Sequence, residues 1–112
     1  MQEISWEAFE KVDVRVGRIL EAEPFPEARK PAIKLTVDFG PDIGTKRTSA
    51  QLTDHYDPAD LHGRQVVAVV NFPPKRIAGF KSEVLVLGAP DESGAVVLLA
   101  PDQDVPLGGK MF

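Results

Sequence analysis

The chain has 112 residues, no cysteine and a formal net charge of −4, with a sequence pI of about 5.1. That length fits one domain over residues 1–112, and a domain of this size buries roughly two-thirds of its unfolded surface, which argues against a disordered tail, a disulfide-stapled miniprotein or a multidomain enzyme. Without cysteine there is no thiol nucleophile, no thiolate zinc site and no redox pair. The longest apolar runs, Val66 to Val70 and Ala95 to Ala100, fall far short of the ~20 residues that span a bilayer. The first residues, Met1 to Glu7, are acidic and hold no apolar stretch of the signal-peptide kind. A cytoplasmic protein without membrane insertion is expected.

The net charge conceals an asymmetry. Residues 1–28 carry three basic against seven acidic side chains, residues 29–81 nine against five, and residues 82–112 one against five. Nucleic-acid binders usually show a basic footprint, often with a domain pI above ~9. This chain meets that criterion only in its middle third, and charge alone favours an ordinary mixed surface over a binding patch.

Ser5 stands before Trp6-Glu7-Ala8-Phe9-Glu10, and its hydroxyl with the following acids predicts a short capped helix within a helical extension over residues 1–11. Trp6 and Phe9, three apart, share one face of it. From Val12 the period becomes two. Val12, Val14 and Val16 alternate with Asp13, Arg15 and Gly17, and the pattern continues through Ile19 and Leu20 towards Phe25 as one long strand. Gly17 inside it is the expected place for a bulge or bend. Phe25 to Pro31 reads as a rigid basic loop, and Ile33, Leu35, Val37 and Phe39 mark the cleanest strand of the chain.

Gly40 to Gly44 turns the chain, and Thr45 to Leu52 reads as a polar third strand. Pro58 to Leu61 predicts one helical turn, stopped by Gly63. Val66 to Phe72 is a buried strand by its β-branched content, ended by Pro73-Pro74. Glu83 to Leu87 is a further strand, and Asp91 to Gly94 turns into a return strand over Ala95 to Ala100. Five or six short strands with almost no helix predict an all-β fold. The long first strand favours a closed barrel, and a five-stranded OB-fold barrel fits the length.

Catalytic constellations are missing. His55 and His62 are seven apart in a loop region and lack the spacing of a helical zinc pair. The glycines form no phosphate-cradling loop, and Ser49, Ser82 and Ser93 sit in no nucleophile elbow. Glu21 and Glu23 read as exposed charge on one strand face. A protein without enzymatic activity, metal or cofactor is expected.

Five segments stand out in order: Val12-Asp13-Val14-Arg15-Val16-Gly17-Arg18-Ile19, Phe25-Pro26-Glu27-Ala28-Arg29-Lys30-Pro31, Thr48-Ser49-Ala50-Gln51, Asn71-Phe72-Pro73-Pro74-Lys75-Arg76 running on to Gly88, and Val105-Pro106-Leu107-Gly108-Gly109-Lys110. Together, from about Glu10 to Phe112, they resemble the tRNA-binding domain family of OB-fold modules, and within it the branch of dimeric protein-export chaperones. The resemblance implies a homodimer that holds unfolded or precursor polypeptides, with tRNA as the alternative ligand and the secretion machinery as a further partner. Lys30, Asn71, Lys75, Arg76 and Ser82 match the family's tRNA-contacting positions. The chain departs from the usual tRNA-binding pattern where Phe25, Pro73 and Glu83 replace His, Lys and a neutral residue.

Both ligands have a physical basis in these residues. OB folds bind RNA through a basic groove with polar and aromatic platforms. Lys34, Lys46 and Arg47 on neighbouring strands, with Lys75, Arg76 and Lys81 after Asn71, are placed to form such a groove. Ser49, Gln51, Asn71 and Ser82 would meet base or sugar edges. Phe25 and Phe72, beside prolines, together with Phe80 would instead form an apolar cleft for an extended peptide. Trp6, Phe9, Met111 and Phe112 are apolar groups at the chain ends, which packing across a two-fold axis would bury.

Overall fold

The computed structural model describes all 112 residues. A five-residue helix α1 (Trp6–Glu10) opens it, capped as the sequence predicts: the Ser5 hydroxyl accepts the Ala8 N–H at 3.1 Å. The strands β1 (Val14–Pro24), β2 (Ile33–Asp38), β3 (Thr45–Ala50), β4 (Gln65–Val69) and β7 (Leu85–Val86) form one antiparallel sheet in the order β3-β2-β1-β4-β7. Two short hairpins complete the chain, β5 (Lys75–Ile77) with β6 (Phe80–Ser82) and β8 (Gly88–Pro90) with β9 (Val96–Leu98). No helix is long and apolar enough to cross a membrane.

The long first strand does what a barrel requires of it. Its first half pairs with β4 (Val14↔Val69 to Arg18↔Gln65) and its second half with β2 (Arg18↔Asp38 to Pro24↔Ile33). The register slips between Ile19 and Glu21, so the bulge falls at the exposed Leu20. Gly17 is not the bend. A Cβ there would stand 2.6 Å from Val37 Cγ1 and 2.8 Å from the Phe39 ring, so the glycine serves close packing over two fully buried side chains.

Alternation along β2 and β3 drives Ile33, Leu35, Val37 and Thr48 inward, onto Ile19, Phe39, Leu52, Leu61, Val66 and Ala68. β4 is buried on both faces, because Val67 and Val69 pack with Val14 and Val16 on the side opposite the barrel core. That explains its unbroken apolar run.

β3 and β7 are not joined by a regular ladder, and the barrel is closed there by a mixed seam. Glu83 N–H donates to Arg47 O, and its carboxylate accepts the Arg47 N–H, both at 2.8 Å. The Thr48 hydroxyl donates to Val84 O at 2.6 Å and lies 3.0 Å from the Ser82 hydroxyl. The result is a five-stranded, nearly closed OB-type barrel, as the strand pattern predicts.

The expected strands are shortened at their ends. The third stops at Ala50, the fourth at Val69, and the Glu83–Leu87 segment supplies only two paired residues. The β5-β6 hairpin does not follow from the sequence pattern. It turns on Ala78 (φ 47) and Gly79 (φ 80), a left-handed pair in which alanine replaces the asparagine or aspartate that usually signals such a turn. In the β8-β9 turn the Asp91 carboxylate accepts Ser93 N–H, Ser93 Oγ–H and Ala95 N–H at 2.9 Å each, and its other oxygen meets His55 Nε2 at 2.6 Å. The His55 hydrogen bond, then that of Ser93, holds this carboxyl below the usual carboxylate range.

Candidate functional site

A groove of about 970 Å³ opens between the loop at 29–32, the end of β3, the β5-β6 hairpin and the seam at 82–86. Ten of its nineteen lining residues are hydrophobic, which is the balance of an apolar cleft with a few placed polar groups. Phe72 stands at its edge, half exposed, and Ile77, Val84, Val86 and Val96 supply much of its floor and walls.

The structure gathers part of the predicted set there. Lys30, Ser49, Gln51, Phe72, Lys75, Arg76 and Ser82 all line the groove. Arg29 lines it too, a residue present in the basic loop of the sequence but not singled out. None of the rim cations Arg29, Lys30, Lys75 and Arg76 has a carboxylate partner: the four ion pairs are Arg15–Asp13, Arg18–Asp104, Arg47–Glu23 and His55–Asp91. In a chain of net charge −4, four unpaired cations around an apolar groove make a local positive field.

Several predicted residues have structural partners, Ser82 among them although it also lines the groove. Asn71 accepts Asp13 N–H at 3.0 Å and donates to Lys11 O at 2.8 Å, so its amide ties α1 and the start of β1 to the end of β4. Ser82 is buried in the seam, where its hydroxyl accepts Ser49 N–H at 3.2 Å. Glu83 likewise serves barrel closure through its two hydrogen bonds with the Arg47 backbone. Lys81 faces solvent on β6, cross-strand from Arg76 and outside the groove lining.

The pleat separates Lys46 from its neighbours. Lys34 pairs with Ser49 and Thr36 with Arg47, which places Lys34 and Arg47 on the outer face, whereas Lys46 pairs with the buried Val37 on the opposite one. Phe25 and Phe80 do not line the groove. They are 3% and 8% exposed and form a small core of their own with Ala32, their rings edge-on at 5.4 Å. The prolines on either side of Phe25 do not make its ring a surface group. Phe25 follows the end of β1 and Phe80 opens β6, where the two rings bury each other against Ala32, and burying each contributes about 1.5–3 kcal/mol. Lys34 Nζ lies 4.6 Å from the Phe25 centroid and 5.2 Å from that of Phe80, and Arg47 Cζ lies 4.8 Å from Phe80. Each such contact is worth about 0.5–2 kcal/mol.

An OB-type barrel bearing a cation-rimmed apolar groove defines a ligand-binding module. The chain belongs to the putative tRNA binding domain family, whose model matches residues 14–110. Among solved structures it is similar to the chaperone CsaA of Bacillus anthracis str. Ames, with 55% identity and a TM-score of 0.93 over 99% of this chain and 100% of that one. The CsaA chaperone protein of Picrophilus torridus is 51% identical, with a TM-score of 0.91 over 98% of this chain and 100% of that one. The methionine–tRNA ligase of Methanocaldococcus jannaschii is 36% identical over 111 residues, 99% of this chain but 17% of the ligase. The chain thus spans about a sixth of the length of the curated relatives it matches.

Proposed function

We propose that this chain is a homodimeric export chaperone that holds unfolded or precursor polypeptides in the groove, and that it performs no catalytic step. The observation that carries the reading is the groove itself: an open cleft, hydrophobic over half its lining residues, with Phe72 at its edge. Apolar side chains of an extended polypeptide are its natural occupants, and the rim cations would meet backbone carbonyls or acidic side chains. The similarity to two CsaA chaperones over nearly their whole length supports it. The dimer is supported by Trp6 and Phe112, which are 84% and 110% exposed rather than folded over the barrel of their own chain. We place the activity in the cytoplasm, before membrane passage, with the secretion machinery as the receiving partner.

One observation favours a second reading, a free-standing tRNA binder. Arg29, Lys30, Lys75 and Arg76 are unpaired and surround Ser49 and Gln51, an arrangement suited to phosphates flanking unstacked bases. Anisotropy titrations of labelled tRNA and of a labelled unfolded precursor peptide separate the two. Lys75→Gln with Arg76→Gln is expected to weaken tRNA binding strongly, to flatten its salt dependence by roughly 0.7–0.9 in log–log slope per lost phosphate contact, and to leave most peptide binding. Phe72→Ser is expected to do the reverse. Loss of both ligands in either folded variant would mean one shared site and would overturn the division.

A further inference from the structure

The two walls of the groove are not tied to each other by any hydrogen bond. In the 25–32 loop, Phe25 N–H bonds to Ala32 O and Ala28 N–H to Phe25 O. The β5-β6 hairpin pairs with itself, and its hydrogen bonds to the barrel are confined to its foot, where Ser82 meets Thr48 and Ser49. What joins loop to hairpin is the small core of Phe25, Ala32 and Phe80, with Ala28 and Ile77 against it. Lys34 lies over both rings and Arg47 over the second, each projecting from a strand whose register with its neighbour is regular.

We infer that Phe25, Phe80, Lys34 and Arg47 form a latch that sets the width of the groove, in which Lys34 and Arg47 are positioning residues and make no contact with the ligand. The inference rests on the groove being the ligand site. Its physical basis is that both rings stand outside the five-stranded sheet, one on a loop and one on a two-stranded hairpin, whereas the cations stand on the barrel sheet. An ammonium shared by two ring faces ties both walls to that rigid frame. Glu23, cross-strand from Lys34 on the same outer face and 2.9 Å from the Arg47 guanidinium, holds Arg47 in place over Phe80. Removing the Lys34 charge frees loop and hairpin together, and every groove ligand is then bound less tightly, whether charged or not.

Hydrogen exchange of the free protein tests the latch without any ligand. Lys34→Met is expected to speed exchange roughly threefold to tenfold in both the 25–32 and 75–82 segments, with β1, β2 and β4 unchanged and Lys34→Arg close to wild type. A change confined to one segment, or to neither, overturns it. Binding of an uncharged apolar peptide and of polyuridylate across a salt series tests the consequence. Lys34→Met is expected to weaken both by a similar factor and to keep the wild-type salt slope, whereas Lys75→Gln lowers that slope by about 0.7. A lower slope in Lys34→Met would make Lys34 a phosphate contact. A loss that merely follows a lower thermal midpoint and vanishes in the cold would make its role global stability, and either result overturns the proposal. If the wild-type chain binds neither probe, the groove reading fails, and the exchange measurement still decides the latch.

Discussion

Gly17 carries more of the barrel's geometry than its lack of a side chain suggests. The 2.6 Å and 2.8 Å approaches that a Cβ would make are to Val37 and Phe39, both wholly buried, so neither has room to withdraw. Gly17→Ala is therefore expected to destabilise the fold by about 1–3 kcal/mol, the usual cost of overpacking a filled core, as read from urea unfolding. A variant as stable as wild type would show that the sheet shifts freely at this point. The position stands out in the sequence as a glycine inside an alternating strand, but its partners do not, because Val37 and Phe39 lie some twenty positions along the chain. Asn71 teaches the same lesson. Its residue type in an exposed position fits a base contact, and only the tertiary structure brings Lys11 O and Asp13 N–H to its amide.

Among the elements, β3 decides most about the site. Its polar sequence reads as a partly exposed strand, and within it Thr48 is buried, its hydroxyl the donor to Val84 O across the gap in the barrel. Thr48→Val keeps the shape and leaves that carbonyl without a partner. It is expected to cost about 1–3 kcal/mol, while Thr48→Ser, which retains the hydroxyl, is expected to lose much less. Equal loss in both variants would shift the explanation from the hydrogen bond to the packing of the methyl group. The pleat of this same strand splits Lys46 from Arg47, a separation that period-two alternation makes legible once the strand is accepted. The β5-β6 hairpin is legible only in part. The strand before it stops at Val69, short of Pro73-Pro74, and an Ala-Gly turn carries a weaker local signal than Asn-Gly, with strands of three residues each.

At the scale of the molecule, the two chain ends converge on the start of β1. α1 leads directly into it, while Lys110 bridges to Arg15 and Met111 N–H donates to Val14 O at 2.9 Å. Exposed Ile4, Trp6, Met111 and Phe112 therefore belong to these convergent ends, as a dimer contact there would require. The wild-type chain is expected to sediment at twice its 12.2 kDa mass, and Trp6→Glu at the monomer mass. Trp6 is the single tryptophan, so its emission is expected to shift to the blue with rising concentration. A wild-type monomer at micromolar concentration would remove the dimer from the proposed function.

The sequence by itself determined the barrel class, the capped N-terminal helix, the inward row of β2 and the doubly buried β4. All of these follow from local periodicity and chain chemistry, which act between residues a few positions apart. It also determined the family, through ordered segments spread over nearly the whole chain. Only the tertiary structure decided which basic and polar residues face the groove. It turned Asn71, Ser82 and Glu83 into structural ties, set Lys34 and Arg47 over two buried rings, and left Lys30, Lys75 and Arg76 at the rim. The reason is that a polar side chain's role depends on which partner reaches it first, and those partners come from distant strands brought together by closure of the barrel.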